Sequence, residues 1–397
     1  MSALPRLLDG AHADGRAISF DEHVRRNGRL DLDRGRDLIR VVDASGLRGR
    51  GGAGFPTGTK LRAVAAAGGR PVVVANGTEG EPASGKDKVL LRHVPHLVLD
   101  GAEAAAAAVH ARRIVVAVSE RAPRESHALR LAIGERPRQR RGAEIDVVTV
   151  PDGFVAGEET ALVNWLNGGA AKPTFTPPRP YERGVAGEPT LVQNVETLAH
   201  LALVARHGAD WFRAIGTPEA PGSALVTIGG AVERPGIYEI EVGLPLDELV
   251  RMAGGESKPL SAFLVGGYFG GWVFADDARA VALAPPELGA GVVHALARET
   301  CGAVHSARVA RYLAGESAGQ CGPCVHGLDA VAGALETLAS PAADATRARR
   351  IEIWLRQVMG RGACRHPDGT VKFVESALRV FEREFALHRQ GRCTGTA

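Results

Sequence analysis

The stretch Gly49-Arg-Gly-Gly-Ala-Gly-Phe-Pro-Thr-Gly-Thr-Lys60 holds five glycines and two cationic side chains in twelve residues. Neighbouring glycines let backbone N–H groups point into one concavity and approach a phosphate closely. Arg50 and Lys60 add positive charge to such a cradle. A flexible loop without a ligand is the alternative, but this density of glycines and cations favours an anion-binding loop.

Two common nucleotide-binding loops do not fit this stretch. Residues 49–54 match G-x-G-x-x-G, but the dinucleotide-binding fingerprint follows a strand, whereas residues 31–43 have the spacing of an amphipathic helix. A P-loop is excluded because the glycine-to-lysine spacing is wrong and Leu61 stands where Ser or Thr would follow the lysine.

Beyond the loop, short apolar strand patterns alternate with helical patterns. This alternation predicts an α/β domain with a parallel sheet that is covered on both faces. The strands are predicted at 71–75, 113–118 and 145–150, and the helices at 60–67, 96–110 and 126–133.

The pattern changes at about Ser223, where a hairpin with its turn at 233–236 begins a small α+β module. From about residue 291 only helices are predicted, at 328–338, 347–358 and 371–388. We therefore expect three domains, at residues 1–215, 216–290 and 291–397.

The composition is that of a globular protein, with 45% hydrophobic and 23% charged residues and a net charge of only +3. The sequence has no apolar run of about 18 residues, so no membrane span is predicted. The first ten residues do not resemble a secretory signal. The basic run at 136–141 has no interleaved aromatics and is interpreted as a solvated loop. We expect a cytoplasmic protein without a nucleic-acid partner.

Three polar segments follow predicted elements and carry candidate ligands. Residues 76–87 follow a predicted strand, residues 153–162 follow another, and residues 187–197 lead into a helix. Ligands of open α/β sheets bind at the carboxyl ends of strands, and amide and carboxylate groups suit sugar hydroxyls. An ordinary acidic turn, carboxylates at a helix N-terminus, and a structural cap at Asn194 are the alternatives.

Together, the loop G-R-G-G-A-G-F-P-T-G-x-K and the segments N-x-x-E-G-E-P, G-E-E-T-A-L and P-T-x-V-x-N-V-E-T resemble the flavoprotein subunit of respiratory complex I that oxidises NADH. The same module occurs in NAD-reducing hydrogenases and formate dehydrogenases. Residues 229–236 and 266–270 resemble that family's β-grasp domain. The resemblance implies a Rossmann-like parallel-sheet FMN domain, a small α+β β-grasp (soluble-ligand-binding) domain and a C-terminal helical bundle that binds a cluster.

The resemblance also implies residue roles for FMN and NADH. Phe55 would stack on the adenine of NADH, Glu81 would contact its ribose, and Glu81 and Glu159 are the candidate catalytic residues. The cofactor-binding set would comprise Gly49, Arg50, Gly51, Gly52, Gly54, Phe55, Lys60, Asn76, Glu79, Gly157, Glu158, Asn194 and Thr197.

Several positions depart from the family pattern. Thr78 replaces an aspartate, Phe154 replaces a tyrosine, and the aromatic residue after the loop lysine is absent. In the Pro-rich loop Arg179 stands where a phenylalanine is expected. The aromatic side chains that would stack on adenine are therefore fewer. Arg179 offers a guanidinium plane or a partner for a 2′-phosphate instead.

The five cysteines point to thiols or metal ligands rather than a disulfide framework. The family's E-S-C-G-x-C-x-P-C motif here has Ala318 as its first ligand position, which leaves Cys321, Cys324 and the distant Cys364. A [4Fe–4S] cluster normally takes four thiolates. Three outcomes stay open: the cluster is lost, it is held with a further ligand, or it has three irons. His326 and Cys301 are the candidate fourth ligands. A zinc site is a further alternative.

These features predict an FMN-dependent NADH oxidoreductase subunit that passes electrons from NAD(P)H to an iron–sulfur or quinone-linked acceptor. By resemblance its partner is a small thioredoxin-like [2Fe–2S] or ferredoxin-like protein, within a larger redox complex at the membrane periphery. The alternative is a flavin-binding electron relay that has lost NADH binding and is reduced by a protein donor. A remnant that holds neither cofactor is the third class.

Overall fold

The computed structural model describes residues 4–12, 15–32, 35–137, 142–340, 345–393 and 395. The chain forms two compact units. One comprises Met1–Val226, Ile237–Leu244 and Ala284–Pro286, and the other Thr227–Gly236, Pro245–Leu283 and Glu287–Ala397. The division into three domains at 215 and 290 stays a prediction.

The first unit is an α/β fold whose sheet has the strand order β3-β2-β1-β4. Its strands are β1 (Val72–Gly77), β2 (Arg113–Ser119), β3 (Glu144–Val150) and β4 (Thr190–Asn194). Its helices are α1 (Phe20–Asn27), α2 (Gly35–Ser45), α3 (Thr57–Ala66), α4 (Lys86–His93), α5 (Pro95–Val109), α6 (Pro123–Glu135), α7 (Glu159–Leu166) and α8 (Val195–Arg213).

All pairings in this sheet are parallel, and its two faces are both covered, as the sequence predicts. Along β1, Val73 and Ala75 belong to one buried apolar cluster, while Val72 and Val74 belong to another. Successive strand residues point to opposite faces, so this alternation places a core on each side of the sheet. The sequence patterns did not predict α4 or β4.

Helices α5 and α8 pack closely because α5 presents small side chains. A Cβ on Gly101 would lie 1.8 Å from the carbonyl oxygen of Leu198. The backbones of the two helices are therefore too close there for any other residue.

A buried ion cluster fixes α5 to its neighbours. Asp100 accepts a hydrogen bond from His23 at 2.7 Å and pairs with Arg136 at 2.5 Å and with Arg206. Burial opposes ionisation, but the His23 hydrogen bond and the two guanidinium charges hold the pKa of Asp100 below its usual value. Arg136 is thus not part of a solvated loop, and residues 138–141 of that basic run lie outside the described residues.

The second sheet has the strand order β6-β5-β11-β8-β9, and a short β7–β10 pair accompanies it. Its strands are β5 (Ser223–Gly230), β6 (Gly236–Glu241), β7 (Leu244–Pro245), β8 (Leu260–Val265), β9 (Gly271–Phe274), β10 (Ala282–Leu283) and β11 (Val292–Ala297). Its helices and those that follow are α9 (Leu246–Met252), α10 (Gly302–Gly315), α11 (Leu328–Leu338), α12 (Ala345–Val358), α13 (His366–Val380) and α14 (Glu382–His388).

Two predictions for the C-terminal part are wrong. Residues after 291 do not form helices only, because β11 pairs parallel with β5 and antiparallel with β8. The helix predicted at 371–388 is two helices, which separate at Phe381. There the ring of Phe381 packs against Trp272, with the ring centroids 5.0 Å apart.

Within the described ranges, no helix combines the length and the hydrophobicity that crossing a membrane requires. The helices that follow β11 are amphipathic and bury one face in the second unit.

Candidate cofactor-binding site and cysteine sites

The carboxyl ends of β1 and β4 bring three of the predicted segments together. Asn76 on β1 and Asn194 on β4 are direct partners in the parallel ladder. A Cβ on Gly51 would lie 3.3 Å from the Cβ of Asn194, so the glycine-rich loop lies against this edge. The edge is where open α/β sheets bind ligands.

The glycine-rich loop is held in a closed form between α2 and α3. The N–H of Gly49 donates to the carbonyl of Phe55 at 2.8 Å, and the N–H of Thr57 donates to Leu47 at 3.0 Å. Gly52 has φ 103° and Gly54 has φ 61°, a backbone region that favours glycine. The residues at 51–53 are exposed, so the turn presents its backbone to solvent.

Arg50 stabilises the loop from inside. Its backbone N–H donates to Oγ1 of the buried Thr197 at 2.8 Å, and its guanidinium donates to the carbonyl of Ser223 at 3.0 Å. The guanidinium Nε also lies 4.0 Å from Oε1 of Glu196. The charge that the sequence suggested for a phosphate is therefore directed into the protein, and Arg50 and Thr197 position the loop.

Lys60 and Glu159 form an ion pair between α3 and the first turn of α7. The lysine Nζ also donates to the carbonyl of Val192 at 3.1 Å. Their side chains are 26% and 30% exposed, so both charged groups remain accessible to a ligand. Lys60 is thus the predicted cation that stays available for a phosphate.

The acidic loop contacts the G-E-E-T segment through Asn76. Its Nδ2 donates to the carbonyl of Gly157 at 2.8 Å, and its Oδ1 accepts from Oγ1 of Thr78 at 2.8 Å. A Cβ on Gly157 would lie 2.2 Å from Oγ1 of Thr78. A side chain at 157 would collide there, so glycine permits the close approach of the two segments.

Three predicted ligands hold helix starts in place. Oε1 of Glu79 accepts from the N–H of Asp87 at 3.0 Å in α4. Oε2 of Glu158 accepts from the N–H groups of Thr160 and Ala161 in α7, at 2.9 and 3.1 Å. Oδ1 of Asn194 accepts from the N–H of Glu196 at 3.0 Å in α8. For Glu158 and Asn194 these bonds are the structural alternatives that the sequence left open.

A buried charge network lies below this edge, and sequence reasoning missed it. Nζ of Lys86 lies 2.6 Å from Oδ1 of Asp87 and 2.9 Å from Oε2 of Glu196. Asp87 in turn accepts from Nδ2 of Asn194 at 2.6 Å. Buried charges need such partners, so the network links α4 to the start of α8. The adjacent Lys-Asp pair after the acidic loop was the available signal.

Two exposed aromatic side chains belong to this unit. Phe55 is 49% exposed beside the glycine-rich loop, and Phe175 is 80% exposed in the Pro-rich loop. The N–H of Thr174 donates to Oγ1 of Thr160 at 2.9 Å, which fixes the Phe175 segment to α7. Phe175 lies four residues before Arg179, so the Pro-rich loop presents an exposed aromatic side chain, and the expected shortage of adenine-stacking aromatics stays a prediction.

Glu81 lies in the acidic loop and is partly exposed. Its backbone carbonyl accepts from the N–H of Ser84 at 3.0 Å. Phe154 is partly buried, and a Cβ on Gly80 would lie 2.6 Å from its carbonyl oxygen. The acidic loop therefore packs against the backbone that precedes the G-E-E-T segment.

The cysteine motif lies at a π-helical turn, Pro323–Gly327, in the second unit. Burial opposes ionisation of Cys321, but backbone N–H groups of Ala363 and Cys324 and the Cys324 thiol hold its pKa below the usual value. Cys364 is partly buried. Ala318 is 3% exposed, so a buried methyl group stands at the first ligand position of the motif. These residues do not fit a cluster with four thiolates.

Cys301, a candidate fourth ligand, belongs to another group. Its Sγ lies 3.4 Å from Oε2 of Glu384 and 3.4 Å from Nε2 of His388. The thiol is 1% exposed, so these contacts define its surroundings.

Three family models match this chain. Residues 42–203 match the Nuo51 FMN-binding domain, residues 225–267 the SLBB domain, and residues 305–388 the NADH-ubiquinone oxidoreductase-F iron-sulfur binding region. The first range contains the glycine-rich loop and the three polar segments. The third range contains the cysteine motif with Ala318.

Whole-length relatives agree with these matches. The NADH-quinone oxidoreductase F 2 subunit of Rhizobium meliloti is 30% identical over 90% of this chain and 89% of its own length. The corresponding F subunit of Streptomyces coelicolor is 33% identical over 90% of this chain and 84% of its own length.

A solved structure of NAD+-reducing [NiFe]-hydrogenase in the H2-reduced state superposes with a TM-score of 0.84 at 30% identity. The match covers 90% of this chain and 63% of the hydrogenase chain, so this chain spans less than two thirds of the length of that chain. With its parallel sheet, glycine-rich loop and cysteine motif, the chain belongs to the family of the NADH-quinone oxidoreductase F subunits, which are flavoproteins.

Proposed function

We propose that this chain is an FMN-dependent NADH oxidoreductase subunit that passes electrons from NAD(P)H to an iron–sulfur or quinone-linked acceptor. The observation that carries the proposal is the meeting of the glycine-rich loop, Asn76 and Asn194 at one edge of the parallel sheet. When bound, FMN supplies a centre that accepts a hydride and gives up single electrons.

The residues at this edge fit FMN. The exposed turn of Gly51 and Gly52 offers backbone to a phosphate, and the Lys60 ammonium adds the charge. Gly49 and Gly54 shape that turn. Asn76 and Asn194 hold the strand ends at which sugar hydroxyls would bind. Gly157 permits the acidic loop and the G-E-E-T segment to approach each other.

The dinucleotide would bind beside the flavin. Phe55 and Phe175 are the exposed aromatic surfaces on which an adenine would stack. Glu81 would accept hydrogen bonds from ribose hydroxyls. Glu159 would orient the nicotinamide while its ion pair restrains Lys60. Glu79, Glu158, Arg50 and Thr197 act as positioning residues through the caps and the buried network.

Electrons would leave to a partner protein. The three thiols of Cys321, Cys324 and Cys364 fall short of the usual four ligands, so we assign no step to a cluster on this chain. We propose a small thioredoxin-like [2Fe–2S] or ferredoxin-like partner, which membership of this family supports. A cytoplasmic location at the periphery of a larger redox complex is proposed on the same ground.

Steady-state turnover tests this proposal. The FMN-loaded chain should oxidise NADH with ferricyanide as the one-electron acceptor, and the rate should exceed that of free FMN at the same concentration. A rate equal to that of free FMN, with both NADH and NADPH, would contradict the proposal.

A flavin relay reduced by a protein donor is the second candidate, and the family aromatics missing at residues 61–63 and at Arg179 favour it. Chemically reduced ferredoxin separates the two functions. Under the relay hypothesis it reduces the bound flavin, whereas NADH leaves the flavin oxidised.

A further inference from the structure

A second group of metal-type side chains lies apart in sequence from the family's cysteine motif. Cys301 precedes the first residue of α10, His388 is the last residue of α14, and Cys393 follows five residues later. The thiol sulfurs and a ring nitrogen of the histidine all lie within 4.8 Å of one another. Three segments therefore converge on one point.

The spacing of these atoms suits a tetrahedral metal ion. Bonds of about 2.3 Å to sulfur and about 2.1 Å to nitrogen at the tetrahedral angle separate the two ligand atoms by about 3.6 Å. Sγ of Cys301 lies 3.4 Å from Nε2 of His388. The pair is thus close to the separation that a bound ion requires.

The histidine is oriented as metal-binding histidines are. Its Nδ1 lies 2.6 Å from the carbonyl oxygen of Ala339, to which it donates a hydrogen bond. This bond places the lone pair on Nε2, which faces Cys301. Both side chains are 1% exposed, so the orientation is fixed by packing.

Cys393 and Gly395 lie beside Cys301. A Cβ on Gly395 would lie 2.6 Å from the backbone nitrogen of Cys301. Sγ of Cys393 lies 3.2 Å from the carbonyl of Gly395. Cys393 is exposed, so an ion can enter from its side.

We propose that Cys301, His388 and Cys393 bind one zinc-type divalent cation that fastens the C-terminal segment to the start of α10. On binding, each thiol gives up its proton to solvent, so the ion, two thiolates and a neutral imidazole carry no net charge. Two sulfurs and one imidazole select zinc over magnesium or calcium. Glu384 contacts Cys301 at 3.4 Å but lies outside the 4.8 Å group, which leaves the fourth position to water.

The test separates this site from the family motif. The full chain with Cys321→Ser, Cys324→Ser and Cys364→Ser together serves as the background and is titrated with Co2+ under reducing conditions. We expect one equivalent to bind with thiolate charge-transfer absorption and tetrahedral d–d bands. Absence of uptake by this background would overturn the proposal.

Variants at the site itself complete the test. Adding Cys393→Ser to the background should remove about half of the charge-transfer absorption and weaken binding at least about tenfold, as loss of a metal-site partner does. Adding His388→Gln should also weaken it, and Zn2+ should raise the melting temperature of the background but not of the Cys393→Ser variant. Cobalt spectra that are the same with and without Cys393 would overturn the proposal.

Discussion

The ammonium group of Lys60 and the carboxylate of Glu159 form an ion pair that joins α3 to the first turn of α7. Both groups are predicted site residues, and both are about one quarter to one third exposed, at 26% and 30%. A phosphate that binds Lys60 must compete with Glu159. The pair therefore couples flavin binding to the carboxylate that we place near the nicotinamide.

Replacing the two partners separately should separate the two roles. Lys60→Met should weaken FMN binding about tenfold or more, because a charge-assisted hydrogen bond contributes about 1.5–3 kcal/mol. Glu159→Gln frees the lysine, so FMN affinity should be kept or improved while NADH turnover falls. Flavin fluorescence titration and ferricyanide assays measure both effects. Equal losses of FMN affinity in the two variants would argue against this division.

The glycine-rich turn should be sensitive to its backbone conformation. Gly52→Ala places a side chain at φ 103°, which strains the turn and should lower FMN affinity at least about tenfold. Gly68→Ala is the matched control, because Gly68 has φ 74° with open space around it at the end of α3. Both variants should lose similar melting temperature. If Gly68→Ala weakened FMN equally, the turn would not be the cradle.

The Phe175 side chain should contribute to binding of the dinucleotide and not to binding of the flavin. An aromatic stack provides about 0.5–1.5 kcal/mol, so Phe175→Ala should raise the KM for NADH about threefold to tenfold. FMN affinity should not change. Phe274→Ala, at a side chain that is 45% exposed, is the control. An unchanged KM for NADH in Phe175→Ala would show that Phe175 does not stack on the adenine.

The buried cluster around Asp100 should make the free energy of unfolding depend on pH in the acid range. Its pKa is held below the usual value, so the stabilisation is complete above the unfolded pKa of about 3.9 and is lost as pH falls. Asp100→Asn should cost about 3–5 kcal/mol, since the buried Arg206 loses its ion pair and Arg136 loses Asp100 while it keeps Glu103. It should also flatten the decline of stability in acid, measured by urea unfolding.

The exposed pair of Asp146 and Arg113 provides the comparison. Its side chains are 51% and 48% exposed, so Asp146→Asn should cost at most about 1 kcal/mol. An Asp100→Asn variant as stable as Asp146→Asn would show that the cluster does not anchor α5.

The sequence predicted the parallel sheet because β1 and β2 are apolar runs bounded by clear helices. It missed β11, because Val292–Ala297 has no alternation and its pairing with β5 and β8 joins distant parts of the chain. It missed α4 because Lys86 and Asp87 interrupt the apolar pattern. Local sequence patterns do not indicate which distant segments pair.

The site residues were predicted by motif, but several of their contacts were not. The Arg50 guanidinium was expected to face a phosphate. It is buried instead, because it contacts Glu196 and Ser223, which lie far along the chain. Charged residues are mostly exposed, so burial of Lys86 could not be inferred from Asp87 alone, without its distant second partner Glu196. The Pro-rich loop shows the reverse case, because Phe175 belongs to no motif and only its exposure beside α7 marks it as a binding surface.

Hydride transfer from NADH to FMN on this chain is the step that distinguishes the proposed oxidoreductase from a flavin relay. An anaerobic titration of the FMN-loaded chain with NADH tests it most directly, with the flavin absorbance band as the signal. We expect one NADH to bleach one bound FMN, and we expect the Gly52→Ala variant, which binds FMN more weakly, to bleach correspondingly less at equal total FMN. A flavin band that stays oxidised with excess NADH and with excess NADPH would show that this chain does not transfer a hydride to FMN.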